Sequence, residues 1–140
     1  MKRLVLFMLI GVTTAVTAAA QTLKIHSGPV TVAVPANQAG DMTYSDGTFL
    51  TVMGKSWDIA VIDSITVDNS EVTDNAVDIT YNGASAHVTV AGNVAPKLAV
   101  TVSGADVSVI AAADLQEEVF YTLSGTSDDG SFFMDGEFKA

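Results

Sequence analysis

Apolar and polar residues alternate along most of the chain, and β-branched residues carry the alternation. Val30-Thr31-Val32-Ala33-Val34, Val77-Asp78-Ile79-Thr80-Tyr81 and His87-Val88-Thr89-Val90 put every second side chain on one face, as a half-buried strand does. No stretch after residue 20 shows the three-to-four spacing of a long amphipathic helix, so the pattern predicts a nearly all-β chain. A first group of strands is predicted over Leu23 to His26, Val30 to Val34, Met42 to Tyr44, Phe49 to Val52 and Ile59 to Val67. A second group is predicted over Val77 to Tyr81, His87 to Val90, Leu98 to Ser103, Val107 to Ile110, Val119 to Leu123 and Phe132 to Phe138. Gly28-Pro29, Asn37 to Gly40, Asp46-Gly47, Gly54-Lys55, Asn82-Gly83, Gly92-Asn93, Gly104-Ala105 and Ser127 to Gly130 supply the turns. Asp46-Gly47 is the best hairpin signal of the first group, because glycine readily takes a positive φ. At Asp114 to Glu118 alternation fails and helix formers gather, which predicts one helical turn.

The polar, acidic run Asp68 to Asn75 separates the two groups and predicts a boundary, with a small antiparallel β module over residues 21–70 and a β-rich segment over 71–140. Alternation continues through Met134 to Ala140 without a closing turn, so the sheet is expected to extend past the last residue.

The first twenty residues have a different pattern. Met1-Lys2-Arg3, the apolar run Leu4 to Val12 and the small residues ending at Ala20 follow the order of a secretory signal peptide, with cleavage expected after Ala20. The apolar run is shorter than the roughly 20 residues of a membrane-spanning helix. Export to the cell surface, the exterior or the periplasm follows as an expectation, without membrane insertion after cleavage.

Charge narrows the partners. The 140 residues hold 6 Lys and Arg against 16 Asp and Glu, a formal net charge of −10. Without residues 1–20, four lysines face sixteen acids, and the remainder contains no arginine. Phosphate neutralisation needs clustered basic residues, so nucleic acid is excluded as a partner. An acidic polymer would meet no arginine fork, and divalent calcium would have to bridge. The absence of cysteine removes thiolate metal sites, disulfides, a thiol nucleophile and a lipid anchor of the lipobox kind.

Two stretches carry a family resemblance. Ile59-Ala60-Val61-Ile62-Asp63-Ser64-Ile65-Thr66-Val67 resembles a segment common near the start of secreted and surface proteins of Bacteroides-type gut anaerobes. Tyr121 to Lys139, with Gly104-Ala105-Asp106-Val107, is similar to the entry segment of bacterial carbohydrate-binding-domain proteins whose body is a right-handed parallel β-helix. Some members of that group bind pectin-type polysaccharides with calcium. The resemblance implies that 71–140 starts or caps such a β-helix, with the repetitive part following Ala140; a β-sandwich is the alternative architecture.

Candidate chemistry is sparse. Trp57, Tyr44, Tyr81 and Tyr121 are the aromatic candidates for stacking on sugar rings, Trp57, Tyr81 and Tyr121 being the ones singled out. Half-burial in a sheet explains Tyr81 and Tyr121 without any ligand, and a lone tryptophan in a small β module is commonly its core anchor. Asp128, Asp129 and Asp135 would offer carboxylate oxygens to calcium, yet the turn does not match the EF-hand loop and has the composition of a solvated turn. His26 and His87, the only imidazoles, sit on strand-like runs. No G-x-S-x-G elbow is present, and the adjacent Glu117 and Glu118 point apart if extended, unlike the facing carboxylates of a glycosidase. The chain therefore reads as a non-catalytic polysaccharide-binding protein, calcium-assisted if the acids converge. The alternative reading is a structural adhesin or surface-assembly β module.

Overall fold

The computed structural model describes residues 21–45 and 48–135. The signal-like leader, the Asp46-Gly47 signal and the continuation of the last strand past Asp135 lie outside that range. Twelve strands are found among the described residues: β1 (Thr22–Ser27), β2 (Val30–Pro35), β3 (Thr43–Ser45), β4 (Phe49–Val52), β5 (Lys55–Asp58), β6 (Ser64–Asp68), β7 (Ala76–Asn82), β8 (Ser85–Ala91), β9 (Leu98–Ser103), β10 (Asp106–Ala111), β11 (Phe120–Thr126) and β12 (Ser131–Asp135). The all-β expectation holds.

Two-residue loops close the hairpins. Gly28-Pro29, Gly83-Ala84 and Gly104-Ala105 each place a positive-φ glycine at the first central position, the type II′ arrangement that matches strand twist. The strands assemble into a six-stranded sheet in the order β11-β7-β8-β2-β1-β6 and two three-stranded sheets, β12-β10-β9 and β3-β4-β5. Most pairs are antiparallel, but β2–β8, β7–β11 and β10–β12 are parallel. Each parallel contact is two strands deep, so the repeated stack of a β-helix is not built among the described residues.

The alternation seen in the sequence fills one core. Ile25, Val34, Val77, Ile79, Val88 and Val90 from the large sheet gather with Val107 and Val109 of β10 and Leu50, Val52 and Trp57 of the β3–β5 sheet. Burial of such side chains contributes about 1.5 to 3 kcal/mol each.

Three local expectations are corrected. Residues 55–58 form β5, paired to β4 across a Met53-Gly54 loop whose two residues both have positive φ. Ile59–Val61 is a 3-10 turn and not the start of a strand, because the Asp58 carboxylate accepts the Ala60 N–H at 2.9 Å and caps it. The strand resumes only at Ser64. At Asp114 to Glu118 there is no helical turn; the Leu115 N–H instead closes a tight turn onto the Ala112 carbonyl at 3.1 Å.

The acidic run at 68–75 connects β6 to β7, two strands of the same sheet, and β2 pairs with β8 across it. Its two ends are fastened. Thr22 Oγ1 donates to the Ser70 carbonyl at 2.6 Å, and Asn93 grips Asn75 twice, accepting its backbone N–H at 3.0 Å and donating from Nδ2 to its side-chain oxygen at 2.6 Å.

Candidate functional site

The site is created by the way β11 and β12 are laid on the sheets. β11 runs parallel to β7 with Gly125 opposite Tyr81, and a Cβ at Gly125 would stand 1.9 Å from the Tyr81 carbonyl oxygen. Only glycine permits that approach, and its φ of +83° is also one that other residues rarely adopt. Past β11 the chain is held against the hairpin turns beneath it. The Gly83 N–H donates to the Thr126 carbonyl at 2.9 Å, Ser127 Oγ donates to the Gly83 carbonyl at 2.6 Å, and the Ser131 N–H donates to the Ala105 carbonyl at 3.1 Å. β12 then continues parallel to β10.

Side chains stack across this seam. Tyr121 and Leu123 lie opposite the buried Val77 and Ile79, while Phe132 and Met134 lie opposite the buried Val107 and Val109. The Tyr121 and Phe132 rings meet at 5.5 Å between centroids, tilted by 52°. This upper row is much less covered than the one beneath, with Leu123 48% exposed.

A cleft of about 340 Å³ opens there. β11 contributes Leu123, Ser124 and Gly125, the turn contributes Ser127 and Gly130, β12 contributes Ser131 and Phe132, and β7 contributes Tyr81. Its polar groups are already oriented. Tyr81 Oη donates to the Ser131 carbonyl at 2.8 Å, and Ser131 Oγ donates to Asp106 Oδ1 at 2.8 Å. Burial, and secondarily the Asp106 charge, raises the Tyr81 phenol above its ordinary 10.0. The phenol therefore stays neutral at physiological pH. With their protons directed inward, these hydroxyls keep lone pairs available to a ligand's O–H groups.

The residues singled out from sequence fall in different places. Tyr81 lines the cleft and Tyr121 supports it through Phe132. Trp57 does not reach it: the ring is 7% exposed, packs in the core opposite Leu50, and has the Lys55 ammonium 5.6 Å from its centroid. Burial pushes the Lys55 ammonium below its ordinary 10.5. Tyr44 is 59% exposed on β3. Asp128 and Asp129 are exposed in the turn at the rim, while Asp135 lies at the far end of β12. Among the described residues no three His, Asp or Glu side chains come close enough to share a metal ion, so those carboxylates do not form a ready calcium cage. Leu123, Ser124, Ser131 and Phe132 were not marked by the sequence, although the Ser- and Gly-rich stretch 124–131 was its available signal.

The two histidines belong elsewhere. Thr31 Oγ1, on a residue 2% exposed, sits 3.0 Å from His26 Nδ1 and 2.9 Å from His87 Nε2, while His26 Nε2 is 2.7 Å from Thr66 Oγ1. A hydroxyl has one proton, so Thr31 can donate to one ring only and must accept from the other. These bonds tie β1, β2, β6 and β8 together on the face of the sheet opposite the core. Burial, and secondarily the His26 charge, holds the His87 imidazole below its ordinary 6.5.

Fold and cleft together define an all-β protein with open sheets and a polar, aromatic-walled recess at one end. Comparison with protein-family models, with curated proteins and with solved structures finds no match to the chain. Among the described residues no helix is long and apolar enough to cross a membrane.

Proposed function

We propose that the chain is a non-catalytic module, exported by its leader, that binds a polysaccharide through a sugar unit seated in the β11–β12 cleft. The observation that carries this reading is the lining. In a chain of 16 acids, the cleft is lined by an aromatic wall, Tyr81 and Phe132, and by the serines and glycines of 124–131, with the Tyr81 and Ser131 hydroxyls held in place and no charged residue in the lining itself. A pyranose needs that combination, an apolar surface for its C–H face and oriented hydrogen-bond partners for its hydroxyls. Asp128 and Asp129 at the rim favour a neutral glycan over a uronate polymer, unless calcium bridges the two.

Thermal unfolding with a neutral plant glycan, with pectin, and with pectin plus calcium tests it. A ligand of the folded state raises the midpoint by mass action. The expected result is a rise with a neutral glycan that Phe132→Ala abolishes and Phe133→Ala, altering a 57% exposed ring on the opposite face of β12, leaves intact. A rise with pectin only when calcium is present would make the ligand acidic and the ion part of its binding. A midpoint unmoved by every glycan would refute the reading.

A further inference from the structure

We propose that the free edge of β11 is a docking site for an extended peptide, taken up by strand addition, with apolar residues at alternate positions and basic residues at both ends. The inference goes beyond saccharide binding and does not depend on it, because it rests on the outward backbone groups of β11; Leu123 borders both edge and cleft, and the N-methylated peptide separates the two.

Among the described residues, β11 is the outermost strand of the six-stranded sheet. The Phe120 N–H donates to Asn75 and the Thr126 carbonyl accepts from Gly83, so the even-numbered residues direct their backbone groups toward β7. Backbone groups alternate in direction along a strand, so Tyr121 and Leu123 direct their N–H and C=O outward, away from the sheet. Natural edges are commonly blocked by charge, proline or a covering segment. β11 carries no proline and no charged side chain along its seven residues, and exposes Phe120 at 55% and Leu123 at 48%. The opposite edge is guarded: β6 ends in Asp68, which Lys24 bridges at 2.8 Å.

Charge selects the occupant. Glu117 and Glu118 precede β11, Asp128 and Asp129 follow it, and all four are exposed. Antiparallel pairing of β11 with its copy about Leu123 would set Asp128 against the copy's Glu118 at each end, in a chain of net charge −10. A second copy is therefore disfavoured. A peptide spanning about 23 Å of strand with lysines at its ends meets complementary charge there, while its apolar side chains cover Tyr121 and Leu123.

The test is fluorescence anisotropy of a labelled Lys-Lys-Val-Thr-Val-Thr-Val-Lys-Lys peptide titrated with the full chain. Saturable binding is expected, at least roughly tenfold weaker for a peptide N-methylated at alternate residues, for a version with glutamates in place of the lysines, and for Leu123→Asp. Unchanged Trp57 fluorescence shows that the variant is folded. Equal affinity of the N-methylated peptide would overturn strand addition, and equal affinity of the glutamate version would overturn the charge selection. A dimer in sedimentation that the peptide does not dissociate would assign the edge to a second copy and also overturn the proposal.

Discussion

At the residue scale, two positions carry more than their own contacts. Gly125 lets β11 lie against the backbone of Tyr81, and any Cβ there collides with a carbonyl that cannot rotate away without breaking the ladder. Gly125→Ala is expected to cost about 2 to 4 kcal/mol in urea unfolding and to accelerate amide exchange along β11 before the rest of the sheet. Thr31 joins His26 and His87, and His87 is the ring whose folded pKa lies below its unfolded value of 6.5. The native state then binds fewer protons than the unfolded chain, so this stabilisation is complete above pH 6.5 and declines as pH falls through 6.5 toward the folded pKa. Unfolding free energy measured from pH 7.5 to 5 should decrease for this reason, and His87→Gln should flatten the slope. A slope unchanged by that substitution would place the titration elsewhere.

At the element scale, the strands legible in the sequence are those whose β-branched alternation reflects a buried face, and β2, β7, β8, β9 and β10 all follow it. β5 was not legible because Lys55-Ser56-Trp57-Asp58 has one apolar residue in four, and Ile59-Ala60-Val61-Ile62 misled because a capping aspartate bends an apolar run. Tyr81 was legible as a candidate from its place on an alternating run. Its cleft was not, since the parallel registers of β11 on β7 and β12 on β10 depend on pairings 44 and 25 positions apart. Core and edge elements should respond differently to the same truncation. Ile79→Ala in β7, at 0% exposure, is expected to cost about 2 to 5 kcal/mol in denaturant unfolding. Ile65→Ala in β6, at 44% exposure, should cost under about 1 kcal/mol.

At the scale of the whole molecule, the division expected at residue 70 falls within a sheet that takes β1, β2 and β6 from one side and β7, β8 and β11 from the other. The polar composition of 68–75 reflects an exposed crossing, and composition alone does not distinguish a crossing from a linker. Because the sheets share one core, the fluorescence of Trp57, on β5 and the only tryptophan, and far-UV circular dichroism should report one coincident transition. Two separated transitions would show that the two groups of strands unfold independently.

The central pairing of β2 with β8 sets the pace at which this architecture can form. Val30 meets Val88, 58 positions later along the chain, so the middle of the large sheet cannot assemble until most of the polypeptide is available. Hairpins such as β7–β8 and β9–β10 close locally and early, while the contacts that join the halves must first overcome the entropy of a long loop. Such a topology belongs with the slow-folding β proteins, on a scale of milliseconds to seconds. During that interval the apolar strands of the two halves lack their native partners, so a second chain at high concentration competes for the same pairings.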